Sequence, residues 1–221
     1  MAMLSNLDLI RRVPLFSMLT NDQAQSIADS VVKRRFRRGE IIVEHGKKSN
    51  ALFILLTGRA RVLTSDSRGR EVILAVLQPG DYVGEMSLID NEPHSATVRA
   101  EVQTDMLILG RAEFARCLPE NSSLSYAIMR GLVQRLRSAD RQIESLALLD
   151  VYGRVARALL DMAEMENGQK LIRNKVSRQD LAKIVGASRE MVSRVMKDLQ
   201  LQGLIVEGEG RILLREKLHL V

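Results

Sequence analysis

The chain has 221 residues, of which 46% are apolar and only 3% aromatic, and its formal net charge at pH 7 is +6. This length suits one large or two modest domains. The single cysteine, Cys117, excludes an intrachain disulfide and an iron–sulfur cluster, which needs several thiolates, and it fits a reducing cytoplasm. We expect no transmembrane helix and no signal peptide, because no apolar run reaches about eighteen residues and the first residues lack a signal layout.

The first half predicts a helix followed by many short strands. The helix covers residues 20–30, begins at Asn21 and turns Ala24, Ile27 and Ala28 inward. Short β-like runs separated by glycine-containing turns follow it: Glu40–Glu44, Ala51–Thr57, Arg59–Thr64, Glu71–Leu77, Ser95–Ala100 and Asp105–Gly110. Strands this short, with turns this regular, are typical of a sandwich or a jelly-roll barrel, and a barrel of this kind encloses a pocket.

A long helical pattern runs from Leu124 to Leu149. Its apolar residues recur at spacings of three and four: Met129, Leu132, Leu136, Ala139, Ile143 and Leu146. This repeat predicts a seam that pairs with a second copy of the helix, although a helix packed on its own barrel would show part of it too. A second stripe, consisting of Arg130, Gln134, Arg137 and Arg141, is ordinarily a solvated face.

Residues 177–204 predict a helix-turn-helix. One helix starts after the N-cap Ser177, Gly186 supplies the turn, and a second helix starts after the N-cap Ser188. The second helix places apolar residues on one side, namely Met191, Val192, Val195, Met196 and Leu199. The opposite side carries Arg189, Glu190, Ser193, Arg194 and Lys197. Such a helix fits the major groove, where arginine suits guanine and glutamate accepts from the cytosine amino group.

Residues 203–214 then predict a β-hairpin, or wing, with its turn at 207–210. A helical hairpin with a solvated charged face would show the same pair of helices. The wing favours DNA binding over that alternative.

The chain resembles the cyclic AMP receptor protein/FNR family of bacterial transcription regulators, in QDLAKIVGASREMVSRVMKDL and in the upstream LDVYGRVA. The resemblance implies an α+β architecture: a cyclic-nucleotide-binding jelly-roll β-barrel (1–121), a dimerisation helix (122–149) and a winged helix-turn-helix (150–221). The match implies that Arg189, Glu190 and Arg194 read bases. It implies that Ser177, Arg178 and Gln179 contact phosphates and that Ser188, the cap of the second helix, also belongs to the DNA-binding set.

Residues 80–100 resemble the family's phosphate-binding cassette, in which a short helix presents N–H groups to a cyclic phosphate. Glu85, after Gly84, matches the acceptor for the ribose hydroxyl, and Ser95 matches a phosphate-bonding hydroxyl. His94 stands where the family has arginine, in a segment one residue shorter than in the cyclic AMP receptor. The implied ligand-binding set is Gly84, Glu85, Met86, Ser87, His94, Ser95 and Ala96, with Arg137, Asp140 and Arg141 from the long helix.

The implied effector is a cyclic nucleotide, either cyclic AMP or cyclic di-GMP. In the cyclic AMP receptor, adjacent Thr and Ser on the long helix contact adenine, and Ala139 and Asp140 stand there in this chain. The two phosphates of cyclic di-GMP suit the arginines of the second stripe. The alternative is a vestigial barrel that binds nothing and only supports dimerisation.

Other function classes are disfavoured. An enzyme would need a Ser-His-Asp order with elbow glycines, a Walker loop or a metal-ligand cluster, and none occurs in the sequence. His45, His94 and His219 show no haem-ligand pattern, and a purely structural module would not need the Arg–Glu face. We predict a metal-free, non-enzymatic regulator in the cytoplasm, whose partners are double-stranded DNA, a second copy of itself and RNA polymerase, with no membrane partner.

Overall fold

The computed structural model describes residues 5–17, 19–120, 122–173, 176–208, 210–215 and 218, with side chains at all of these except 117–120, 122 and 123. Two compact units, Met1–Arg135 and Leu136–Val221, divide the chain inside its longest helix. The helices are α1 (Asn6–Arg12), α2 (Asn21–Ser30), α3 (Glu85–Asp90), α4 (Arg111–Glu120), α5 (Ser122–Leu148), α6 (Val151–Met162), α7 (Arg178–Val185) and α8 (Arg189–Leu201). The strands are β1 (Val32–Phe36), β2 (Ile41–Val43), β3 (Ala51–Thr57), β4 (Ala60–Ser65), β5 (Glu71–Leu77), β6 (Tyr82–Val83), β7 (Thr97–Ala100), β8 (Thr104–Gly110), β9 (Glu164–Glu166), β10 (Gln169–Ile172), β11 (Ile205–Gly208) and β12 (Arg211–Leu214).

Helix α2 confirms the helix predicted over 20–30. Its N-cap is Thr20, whose hydroxyl accepts from the Gln23 backbone N–H while the Gln23 side chain accepts from the Thr20 N–H. This reciprocal arrangement satisfies two backbone donors that a helix start leaves free. Ala24, Ile27 and Ala28 are buried, as the helical spacing predicted.

The first unit contains two four-stranded antiparallel sheets, ordered β1-β8-β3-β6 and β2-β7-β4-β5. Side chains from both sheets meet in one buried cluster: Phe36, Leu55 and Met106 from the first, and Leu77 and Val98 from the second. The core between the sheets therefore holds them together through side-chain packing.

The central strands of the first sheet, β3 and β8, are buried on both faces. Alternate residues of β3 point to opposite sides, so that Phe53 and Leu55 pack between the sheets while Leu52 and Ile54 pack with α1, α2 and the start of α5. Because both faces are covered, β3 and β8 read in the sequence as nearly continuous apolar runs.

Among the described residues, the two sheets of the predicted jelly-roll β-barrel do not close into a barrel. Each sheet keeps two edge strands, β1 and β6 in one and β2 and β5 in the other, with no ladder joining them. Short strands with regular turns occur in two-sheet arrangements as well as in barrels, so this pattern alone does not decide closure.

Helix α5 confirms the predicted long helix and contains a notch at Gly131. Leu124 and Ile128 are buried in the first unit, and the Tyr82 hydroxyl donates to the Ile128 carbonyl at 3.5 Å. A Cβ at Gly131 would overlap that hydroxyl. The glycine therefore lets the tyrosine of β6 lie directly against the helix.

The second unit packs α6, α7 and α8 against a four-stranded sheet ordered β11-β12-β10-β9. Strands β11 and β12 confirm the predicted wing, whose Glu209 lies outside the described residues. The sequence interpretation missed β9 and β10 here, as it missed α1, α4, β1 and β6 in the first unit. No helix among the described residues is both long and apolar enough to span a membrane.

Candidate functional site

Two serine caps position the helix-turn-helix. Ser177 accepts from the Asp180 N–H at 3.0 Å and Ser188 from the Met191 N–H at 3.2 Å, as predicted for the starts of α7 and α8. Gly186 ends α7 with φ of 64°, a left-handed conformation that favours glycine. These local signals fix where both helices begin and the turn between them.

Helix α8 buries one side and presents the other. Val192, Met196 and Leu199 are fully buried, while Arg189, Glu190 and Arg194, which the sequence predicts to read bases, are exposed. The predicted inward position of Met191 is wrong, since 44% of this residue is exposed. It lies at the border of the apolar stripe, in the first turn of the helix.

A groove of about 590 Å³ separates α7 from the wing. Its lining includes four of the predicted DNA-binding residues: Ser177, Arg178, Gln179 and Arg189. Arg211 and Glu207 of the wing line the same groove. Ser188, Glu190 and Arg194 lie outside this lining. The groove therefore brings the predicted phosphate-contacting residues Ser177, Arg178 and Gln179 together with Arg189, while the other two predicted base-reading residues, Glu190 and Arg194, lie on α8 outside it.

The cassette is built on a glycine that no other residue could replace without strain. Gly84 has φ of 97°, and a Cβ there would lie 2.5 Å from the Ala51 carbonyl oxygen of β3. Glu85 follows it with 1% of its surface exposed. Its Oε2 and the Ser87 Oγ are buried without a hydrogen-bond partner among the described residues.

Glu85 is paired with Arg135 of α5, a residue that the sequence interpretation did not single out. Arg135 Nη1 donates to Glu85 Oε1 at 2.5 Å, Nη2 donates to the Tyr82 carbonyl, and the guanidinium lies 5.0 Å from the Tyr82 ring centroid. Burial raises the pKa of Glu85 and the nearby Arg135 charge partly opposes that rise. The Arg135–Glu85 ion pair therefore joins the cassette to α5.

His94 lies in the loop before β7 and is buried. Its Nε2 lies 2.8 Å from Ser49 Oγ, and its backbone N–H donates to the Lys47 carbonyl at 2.9 Å. Burial lowers the pKa of His94, which favours the neutral imidazole. A neutral ring bonded to Ser49 does not reproduce the fixed positive charge of an arginine.

The other predicted ligand residues are spread out. Met86 and Ser95 are exposed and Ala96 is buried. Arg137, Asp140 and Arg141 are exposed on the part of α5 that belongs to the second unit.

Arg111, at the start of α4, donates hydrogen bonds to the backbone of the cassette helix α3. Its Nη2 donates to the Ser87 carbonyl at 2.9 Å, its Nη1 to the Leu88 carbonyl at 3.4 Å, and its Nε to Asn50 Oδ1 at 3.3 Å. It satisfies backbone acceptors that the short helix α3 leaves open. Among the described residues, no group of three or more His, Cys, Asp or Glu side chains is arranged to hold a metal ion.

Comparisons with known proteins agree with this geometry. Residues 33–121 match the cyclic nucleotide-binding domain family, and residues 153–220 match the Crp-like helix-turn-helix domain family. The cAMP-activated global transcriptional regulator Vfr of Pseudomonas aeruginosa is 36% identical over 188 residues, covering 81% of this chain and 88% of that protein. The cyclic AMP receptor protein of Thermus thermophilus is 30% identical over 203 residues, covering 92% and 93%.

A solved structure, that of the c-di-GMP responsive global regulator CLP of Xanthomonas campestris, superposes with a TM-score of 0.73 at 27% identity, covering 90% of this chain and all of that one. The relatives that match are regulators and not enzymes. The chain therefore belongs to the CRP/FNR family of DNA-binding transcription regulators and carries a cyclic nucleotide-binding domain followed by a Crp-like helix-turn-helix.

Proposed function

We propose that the protein binds a palindromic DNA site as a homodimer and that a cyclic nucleotide controls this binding. The exposed side of α8 carries the proposal, since it presents Arg189, Glu190 and Arg194 over a fully buried apolar side. A helix of this kind places its first turns against base edges in the major groove. Such a regulator acts in the cytoplasm, together with RNA polymerase.

Substitution of Arg189 tests the DNA-reading part. If Arg189 forms a bidentate contact with guanine, Arg189→Ala should cost roughly 1–3 kcal/mol on the selected operator and relax the preference at one base pair only. Affinities are measured on all single-base variants of an operator selected with the full-length protein. Lys197→Ala, on the same helix two turns further on, is the matched control. An equal loss across all variants would make Arg189 a phosphate contact instead.

The proposed dimer rests on the exposed apolar residues of α5. Met129, Leu136 and Ile143 recur every seven residues and are 55%, 62% and 65% exposed. Large apolar side chains at this spacing form the seam of a coiled coil when a second helix covers them. We therefore propose 122–149 as the dimerisation helix, between domains 1–121 and 150–221. Leu132 packs partly on the first unit's own core.

The proposed effector site is the cassette. Buried polar atoms without partners are costly, and Glu85 Oε2 and Ser87 Oγ are both of this kind. A ligand hydroxyl or N–H at this position would satisfy them. Of the remaining predicted residues, we propose that Gly84, Met86, Ser95 and Ala96 line the phosphoribose, and that His94 contributes through neutral hydrogen bonds. Arg137, Asp140 and Arg141 are proposed as further ligand contacts.

Cyclic AMP and cyclic di-GMP are both candidate effectors for this site. Vfr and related regulators are cAMP-activated, and CLP is c-di-GMP responsive. Calorimetric titration of the full-length protein with each nucleotide distinguishes them. Binding at the cassette should be lost in Glu85→Ala and kept in Asp66→Asn, which alters an exposed carboxylate in the β4–β5 turn. Cyclic di-GMP binding that survives Glu85→Ala but is lost in Arg137→Ala/Arg141→Ala would move the site onto the helix.

The alternative is a regulator that needs no ligand. Two observations favour it: Arg135 is already paired with Glu85, and His94 is already bonded to Ser49. In that case neither nucleotide binds, and DNA affinity is the same with and without either of them.

A further inference from the structure

The wing holds the first residue of α7 through an ion pair. Arg178 Nη2 lies 2.8 Å from Glu207 Oε2, to which it donates, and 2.7 Å from Oε1. The two side chains are only 27% and 26% exposed. This contact joins β11 to the start of the helix-turn-helix across the groove described above.

Glu207 is the only acidic residue among the described residues that line this groove. Three arginines line it as well, namely Arg178, Arg189 and Arg211. A groove with this balance attracts a polyanion, and the carboxylate opposes that attraction. Phosphate contacts add affinity without reading sequence, so a carboxylate at this place acts on the sequence-independent part of binding.

We propose that Glu207 is a positioning residue that restrains Arg178 and thereby limits non-specific DNA binding. This inference rests on the proposed DNA-binding function. While Arg178 is paired with Glu207, the carboxylate partly neutralises its charge and holds Nη2, which weakens its attraction for a phosphate. Glu207→Gln keeps the size of the side chain and an oxygen acceptor for Arg178 but removes the negative charge, so that Arg178 can pair with the DNA backbone.

The expected size follows from counterion release. Each additional neutralised phosphate steepens the slope of log affinity against log salt by about 0.9. At 0.1 M salt one such contact raises affinity by roughly eightfold relative to its extrapolated value at 1 M. If wild type and Glu207→Gln bind a non-operator duplex equally at 1 M salt, the variant should bind it about eightfold more tightly at 0.1 M, with a slope steeper by about one.

Fluorescence anisotropy of the full-length protein on a labelled non-operator duplex, between about 50 and 200 mM salt, measures both quantities. Glu164→Gln is the matched control, because it removes the same charge on β9, at the opposite edge of the same sheet. Three strand spacings, roughly 14 Å, separate the two edge strands. This exceeds the screening length of about 10 Å at 0.1 M, so the control should change affinity little.

The same measurement in an Arg178→Gln protein distinguishes two explanations: Glu207 restrains Arg178, or Glu207 repels phosphate directly. If Glu207 acts through Arg178, Glu207→Gln has little effect in an Arg178→Gln protein. An equal gain in both backgrounds, or a loss of affinity in Glu207→Gln, overturns the proposal. Glu207→Thr, which suits a strand, replaces the glutamine variant if that variant does not fold. Wild-type protein that binds no duplex would contradict DNA binding itself, whereas wild-type binding with an unchanged Glu207→Gln contradicts only this role of Glu207.

Discussion

The close contact at Gly131 leads to an unusual prediction. Although alanine is the best helix former, Gly131→Ala should lower the free energy of unfolding. In the interior of α5, Gly→Ala alone would stabilise by roughly 0.5–1 kcal/mol. Here the new Cβ would overlap the Tyr82 hydroxyl, which is buried and bonded to the Ile128 carbonyl. Overpacking of a buried contact costs about 1–3 kcal/mol. We expect a net destabilisation of up to about 2 kcal/mol.

Tyr82→Phe supplies the matched background. Without the hydroxyl, the nearest atom to the new Cβ is the ring Cζ at 3.1 Å, which a shift of a few tenths of an ångström relieves. In that background Gly131→Ala should be neutral or stabilising by up to about 1 kcal/mol. The coupling between the two substitutions should therefore be about 1–3 kcal/mol.

Hydrogen exchange of the full-length protein measures the change in stability within the first unit. Amides of β3 and β8 report the opening of the first unit's core, independently of the second unit. Urea unfolding gives the same comparison for the whole chain. If Gly131→Ala raises protection equally with Tyr82 and with Phe at position 82, the hydroxyl does not occupy the notch and the reasoning fails.

Two further predictions address assembly and pH. Leu136→Asp places an unpaired charge in the proposed seam, which costs several kcal/mol, so the protein should sediment as a monomer and lose operator affinity. The control Gln134→Asp should remain dimeric. A dimeric Leu136→Asp protein would contradict the seam. The pKa of His94 is lowered by burial, so the unfolded chain binds more protons, and the free energy of unfolding should fall as pH drops below the ordinary value of 6.5. His94→Gln should reduce this loss in urea unfolding, while substitution of the exposed His45 should not; an unchanged pH dependence in His94→Gln would refute the assignment.

Local signals predicted the elements whose residues carry them. Thr20, Ser177 and Ser188 cap helices, and Gly186 ends one, so the sequence places those helix ends within a residue or two. Strand β1 escaped prediction because its residues are charged and mostly exposed on a sheet edge. Its charges are balanced by tertiary contact: Lys33 and Arg35 lie 3.4 and 2.7 Å from Asp105 of β8. No pattern within five residues reveals a partner seventy positions away.

For the same physical reason, the helix-turn-helix is easier to predict from the sequence than the cassette. The helix-turn-helix is contiguous, and its caps, turn and buried stripe all lie within 177–204. The cassette instead depends on Arg135, Ser49 and Arg111, which reach it from α5, from the β2–β3 loop and from α4. Each of these contacts joins residues separated by 24 to 50 positions, so periodicity could not indicate them. Arg135 is the clearest case: the sequence pattern singled out its neighbours Gln134 and Arg137 instead, and the contact of Arg135 with Glu85, fifty positions away, is visible only in the structure.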